Sequence, residues 1–200
     1  KRNMVYAVVD TNVLFSAALA KNRGESIPLK IFLGIAQKKY IPVIDSNIIE
    51  EYREVLAREK FNFSLDYQSF FINEIIKYAI NEPVKASDII LPEMDDKIFY
   101  DVAFAHQNKK TFLVTGNLKH FPKCSFAISP KDFYELINPI PSGFVVNEFL
   151  SDYDISKLMQ ALYALNDEAH KNGIAGMSEE EIEAEIKAAR ASRRRNVLWT

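Results

Sequence analysis

MVYAVVDTN, residues 4–12, decides the fold. From Met4 to Val9 every side chain is apolar, most of them β-branched or aromatic, and the run closes on Asp10. A run of that length without polar alternation reads as a strand buried on both faces, the habit of parallel sheets covered by helices. Asp10 then stands at the carboxyl end of that strand, the edge where open α/β sheets hold their ligands.

Working outward, Ile31, Phe32, Ile35 and Ala36 recur at helical spacing, and Tyr40 to Ile44 is a second short strand stopped by Asp45 and Ser46. Ser46 and Asn47 are suited to start a helix that runs from Ile48 to Arg58. The pattern predicts a further helix over Tyr67 to Ile80, ended by Asn81, Glu82 and Pro83. It predicts another from Asp95 to Gln107, strands at Thr111 to Val114 and Phe126 to Ile128, and a helix through Phe133 and Leu136. Strands alternating with helices imply a parallel sheet with helical crossovers. Pro139 and Pro141 mark a boundary, dividing the chain into a domain over residues 1–142 and a tail over 143–200. The tail reads as a helix from Ile155 to Lys171, a turn at Gly173 to Gly176, and a charged helix from Glu179 to about Arg194.

Composition narrows the function classes. No apolar stretch approaches the roughly 20 residues needed to span a bilayer, and Cys124 is the single cysteine, so neither a disulfide framework nor a thiolate metal cage is available. A soluble cytoplasmic protein with no membrane partner is expected. The net charge of −2 supplies no global attraction for nucleic acid, so any such contact must be local. Up to Ser142 there are 18 basic and 17 acidic residues, and beyond it 7 and 10; the acidity lies in the tail, which nevertheless ends in Arg190, Arg193, Arg194 and Arg195.

Several acidic residues fall at the same sheet edge as Asp10. Glu51 shares its helix face with Ile48 and Val55, and a carboxylate turned to the core needs a partner. Asp95 and Asp96 open the next helix, where the dipole favours negative charge with or without a function. Asp96 and Asp101 flank the apolar face of Ile98, Phe99, Val102 and Ala103, and helical geometry does not choose between them. Carboxylates converging on one edge repel unless cations share them, and hard oxygen donors suit Mg²⁺ or Mn²⁺. Such sites serve phosphodiester hydrolysis. His106, His120 and His170 are scattered and read as structural or exposed. Lys21, Arg23, Lys119 and His120 read as solvated loop residues, with phosphate contact as the other reading.

Five segments together resemble the PIN-domain ribonucleases, the family that includes VapC-like toxins of toxin–antitoxin systems: VVDTNVLFSAAL from Val8, DSNIIEEYREVL from Asp45, DDKIFYDVAFA from Asp95, LVTGNLKHFP from Leu113 and ISPKDFYELI from Ile128. The resemblance spans about Met4 to Ile137 and implies a three-layer α/β/α domain with a short central parallel sheet, followed by a helical tail. It implies that Asp10, Glu51 and Asp96 are catalytic and metal-binding, supported by Thr11, Asn12, Ser46 and Thr115, with Asp95 as a substitute for Asp96. Many PIN domains carry a further Asp after the Thr-Gly pair, where this chain has Asn117. Asp101 is then the candidate for a fourth metal-binding carboxylate. Mg²⁺ or Mn²⁺ would be the cofactor and RNA the substrate, cut by an endoribonuclease of toxin type; a homodimer or higher oligomer is common in the family.

The tail, in LNDEAHKNGIAGMSEEEIEAEIKAARASRRR from Leu165, looks like the short antitoxins encoded beside such nucleases. Ser178 with Glu181 forms a capping box, and Ile182, Ile186 and Ala189 leave a narrow apolar stripe that gains stability by docking. The expectation is an inhibitory tail lying over the carboxylates, in its own chain or a neighbour's, through Arg190 or one of Arg193, Arg194 and Arg195. A plain solvated helix explains the same charge pattern. Two rivals remain: a catalytically impaired, nuclease-derived module that binds RNA or protein, and a haloacid-dehalogenase-like phosphatase, which would need an acid where Asn12 stands.

Overall fold

The computed structural model describes residues 4–81, 83–139 and 157–197. Five strands, β1 (Tyr6–Val9), β2 (Ile41–Ile44), β3 (Ile80–Asn81), β4 (Thr111–Val114) and β5 (Ala127–Ile128), form one sheet in the order β3-β2-β1-β4-β5, and every pairing is parallel. In β1, Ala7, Val8 and Val9 are buried in succession, so both faces are covered, as the unbroken apolar run predicts. Register pairs Val9 with Val114, which brings Asp10 and Thr115 side by side at the carboxyl edge.

The helices are α1 (Thr11–Ala18), α2 (Ile27–Ala36), α3 (Ser46–Leu56), α4 (Leu65–Tyr78), α5 (Lys97–Ala105), α6 (Pro130–Ile137), α7 (Lys157–Lys171) and α8 (Glu179–Val197). Side-chain caps fix several starts: Ser26 accepts from Leu29 N in α2, Ser64 from Tyr67 N in α4, and Ser129 from Asp132 N in α6, where Pro130 takes the first turn. For α3 the cap is Asp45, one residue earlier than the Ser46 or Asn47 expected, its carboxylate accepting from Asn47 N at 2.7 Å. α5 packs directly on β1, β2 and β4, while α2 packs on both α1 and α6.

β3 departs from expectation. Ile80 continues the apolar spacing of α4, but Ala79 turns extended with ψ 152°, and Ile80 and Asn81 pair instead with Val43 and Ile44 of β2. Asp95 and Asp96 also lie outside α5, in a 3₁₀ turn over Met94–Asp96 that precedes it.

The expected boundary at Ser142 lies outside the described residues. On its far side, α7 buries Leu158, Leu162, Leu165 and Ala169 in the same apolar core as the sheet, against α1, α2 and α4. Asn166, fully buried, donates to the carbonyls of Ala18 and Ala20 and accepts from Arg23, stitching α7 to the loop after α1. α8 instead lies across α1 and α3 through its stripe of Ile182, Ile186 and Ala189. Among the described residues no helix is long and apolar enough to cross a membrane.

Candidate acidic active site

Three chain segments deliver acids to the carboxyl edge. Asp10 follows β1 directly, Glu51 projects from the buried face of α3, and Asp96 closes the 3₁₀ turn before α5; they are 2%, 1% and 3% exposed. Hydroxyls and amides fix their positions. Thr115 Oγ1 and Asn12 Nδ2 both donate to Asp10 Oδ2, at 2.7 and 2.8 Å, and Thr11 Oγ1 donates to Glu51 Oε1 at 2.7 Å. Asn12 is itself held by the backbone N–H of Gly116, and the Tyr52 hydroxyl donates to the carbonyl of Val9 just below Asp10. Ser46 begins α3 and is exposed.

The partner that Glu51 requires is Arg190 of α8, itself 5% exposed. Its guanidinium grips Glu51 in a fork, Nε to Oε2 at 3.1 Å and Nη2 to Oε1 at 2.7 Å, while Nη1 reaches Asp96 Oδ1 at 2.8 Å. Bidentate pairing of this kind is the strong form of a carboxylate–arginine contact. Burial works against the charge on Arg190, but its hydrogen bonds to Glu51 and the charges of Glu51, Asp96 and Asp10 outweigh that and hold it protonated. The remaining tail arginines divide. Arg193 pairs with Glu54 at 2.5 Å and stands 3.7 Å from Glu51, Arg194 pairs with Asp95 on the rim, and Arg195 turns back to Ser192 of its own helix.

Asp10 carries the strain of this arrangement. Burial above all, then the charge of Asp96, raises its pKa to about 7; the Thr115 hydroxyl and Arg190 oppose that and Glu51 adds to it. Arg190 pairs directly with Glu51 and Asp96, and the shortage of positive charge falls on Asp10. That donor set has the chemistry for a hard divalent cation. Among the described residues, however, no group of three or more acidic, histidine or cysteine side chains stands in a metal-holding arrangement, Glu51 and Asp96 being engaged with Arg190.

Asp101 is not brought into the cluster. Its oxygens are taken by Lys97 at 2.7 Å and Ser87 at 2.5 Å, so the fourth carboxylate expected there is absent from this edge. Helical periodicity alone could not separate it from Asp96; the 3₁₀ turn, which lifts Asp96 out of the α5 register, does. Asn117 reaches the site's margin, where its amide donates to Glu183 of α8 at 2.9 Å. His120, which the sequence reads as structural or exposed or as a solvated loop residue with phosphate contact as the other reading, is buried and hydrogen-bonds Asp96 Oδ2 through Nδ1 at 2.7 Å. It sits in a 3₁₀ turn, where no periodicity marks a buried position, and its only signal was its place in the LVTGNLKHFP segment.

A parallel α/β sheet that gathers buried acids from β1, α3 and the start of α5 at its carboxyl edge is the kind of open α/β protein whose ligands bind at that edge. The PIN domain family model matches residues 6–119, more than half of the chain, and the chain belongs to that family. PIN domains are in general metal-dependent nucleases. No curated protein and no solved structure matches the chain.

Proposed function

We propose that the chain is a divalent-metal-dependent endoribonuclease of the VapC-like toxin type whose C-terminal helix holds its acidic site closed. The observation that carries the reading is the buried fork of Arg190 on Glu51 with its third contact on Asp96. The choice of RNA rests on the resemblance of the quoted segments to toxin nucleases, and the inhibitory role of α8 on the antitoxin-like tail sequence.

In the open state Asp10, Glu51 and Asp96 would hold Mg²⁺ or Mn²⁺. Such a cation supplies charge neutralisation at the phosphate and lowers the pKa of water. The chain's own residues do the rest. Thr115 and Asn12 fix one oxygen of Asp10, Thr11 fixes Glu51, and His120 fixes Asp96, so the carboxylates are oriented before any ligand arrives. Arg190 provides one positive charge at the same carboxylates, and its withdrawal leaves buried negative charge that a metal cation would balance.

A second reading has a specific observation in its favour: Asn117 stands where many PIN domains have an acid, which suits an impaired module that binds RNA or protein without cutting. The test compares RNA cleavage by the full chain, by Arg190→Ala, and by Arg190→Ala with Asp10→Asn, each with Mg²⁺, Mn²⁺ or EDTA. Arg190→Ala is expected to cleave roughly tenfold faster or more, since 1.4 kcal/mol of closing energy already corresponds to about that factor, and EDTA or Asp10→Asn should abolish the gain. No cleavage by folded Arg190→Ala across varied RNAs would select the binding module instead.

A further inference from the structure

A stack of aromatic rings joins α5 to the segment that leads into β5. Tyr100 and Phe104, one helical turn apart, lie nearly parallel at 12° with centroids 5.7 Å apart. Phe126 closes the group at 5.3 Å from Tyr100 and 6.4 Å from Phe104. Tyr100 and Phe126 also pack against the apolar core. Phe104 lies outside that core and is 54% exposed, so one face of its ring covers Tyr100 and the rest meets water. α8 lies across α1 and α3 and leaves it open. A single exposed apolar side chain needs no explanation, but this one ends an ordered stack, and the charge around it in the sequence is one-sided.

From Val102 to Lys131 the chain contains no acid and five lysines, although its net charge is −2. All five, Lys109, Lys110, Lys119, Lys123 and Lys131, are exposed, and among the described residues none of them forms a salt bridge. The one acid of α5, Asp101, is buried and already paired with Lys97. Both segments that deliver the rings also deliver cations. Lys109 follows α5, with Nζ 5.4 Å over the ring of Tyr6, which in turn meets His106 at the end of α5 edge-on. Lys123 precedes Phe126 in the connection from β4 to β5.

We infer that the open face of Phe104 is a stacking platform for an unpaired base of single-stranded RNA, with Lys109 and Lys123 as contacts for the phosphates of that strand. The inference rests on the ribonuclease reading above and adds a place outside the acidic cluster where the same substrate is held. A ring face accepts any base, and unpaired lysines supply the charge that a phosphate backbone attracts; single-strand sites combine the two. A second copy of the chain docked on this surface about a two-fold axis would bring the same lysines together, so the charge favours a polyanion. Asp96 immediately precedes α5, and Phe104 lies two turns, about 10 Å, along the helix from its start. Because Phe104 is exposed while α8 is docked, the closed protein binds the strand as well.

The experiment uses the full chain in EDTA, with binding of a short fluorescein-labelled single-stranded RNA followed by anisotropy over a range of salt. Phe104→Leu keeps an apolar side chain and removes the ring, Phe104→Trp enlarges the ring, and melting curves check that both remain folded. Phe104→Leu is expected to weaken binding roughly tenfold, within the span of one base–aromatic stack, and Phe104→Trp to match or exceed the parent. Lys109→Ala and Lys123→Ala should each lower the slope of log affinity against log salt by about 0.7, the value of one phosphate contact on a single strand. Equal affinity of Phe104→Leu and the parent would overturn the platform, and so would a parent that does not bind RNA. A dimer of the parent, seen by light scattering and broken by Phe104→Leu with RNA binding unchanged, would give the surface to a second copy instead. The ribonuclease reading is judged apart, by cleavage with Mn²⁺ in Arg190→Ala: cleavage there, with RNA binding unchanged by Phe104→Leu, removes the platform alone, whereas no cleavage removes the substrate on which the platform rests.

Discussion

Arg190 and Asp10 stand at opposite ends of one charge imbalance. Removing the guanidinium leaves Glu51 and Asp96 buried without their cation, a change that costs about 3–5 kcal/mol when a buried pair is broken. Arg190→Ala is therefore expected to lower the melting temperature in EDTA and to regain part of it in Mg²⁺; equal melting in both media would show that the carboxylates do not need a cation. Asp10 predicts the pH dependence. Its folded pKa of about 7 lies above the ordinary 3.8, so the folded state binds the proton more tightly. The stability this gives is complete below about pH 4 and is lost as the pH climbs through 7. At about 1.4 kcal/mol per unit, the difference across that window is roughly 4 kcal/mol. Denaturant titrations in EDTA from pH 4 to 8 should show a steeper decline for the parent than for Asp10→Asn, and parallel curves would refute the raised pKa. Asp10 and Glu51 were legible in the sequence because each ends or interrupts an apolar pattern. Asp96 was legible only as one of two, since its selection over Asp101 depends on Lys97 and Ser87 claiming the latter.

The two tail helices, grouped together by composition, differ in what they hold. α7 contributes fully buried Leu158, Leu162 and Leu165 to the common core, and α8 joins the same core through Ile182, Ile186 and Ala189, on a helix whose other faces are charged. Leu162→Ala is expected to destabilise the whole protein by about 2–5 kcal/mol, as large-to-small core changes do. Ile186→Asp should act on α8 alone, raising its protease sensitivity while the melting of the core moves little, because weakly packed elements open locally. If the two substitutions lower the melting temperature alike, α8 unfolds with the core and cannot serve as a removable cover. The sequence showed α7 as a helix, and the stripe of α8 as a docking face. It could not show which surface each helix meets, because that depends on apolar patches of α1, α2, α3 and α4 assembled from distant parts of the chain. β3 was hidden for a related reason: Ile80 fits the helical spacing of α4, and only the vacant edge of β2 draws it into the sheet.

At the scale of the whole molecule, the proposed function makes α8 and a divalent cation competitors for the same carboxylates. Glu51 and Asp96 cannot be saturated by Arg190 and by a metal ion together, so each ligand weakens the other by the same factor. α7 packs against α1, α2 and α4 through apolar side chains and should not feel the exchange. Hydrogen exchange with increasing Mg²⁺ or Mn²⁺ is therefore expected to lose protection in α8, by about tenfold for each 1.4 kcal/mol of cation binding beyond what Arg190 contributes, while α7 and β1 keep theirs. Asp96→Asn, which removes a charge that both competitors use, should shrink the response without loosening α7. EDTA should restore the protection of α8, because the helix and its partner carboxylates are carried by one chain. Protection in α8 that is indifferent to divalent cations, in a protein that nonetheless binds them, would place the metal elsewhere than at Asp10, Glu51 and Asp96 and would detach the closing of the site from its chemistry.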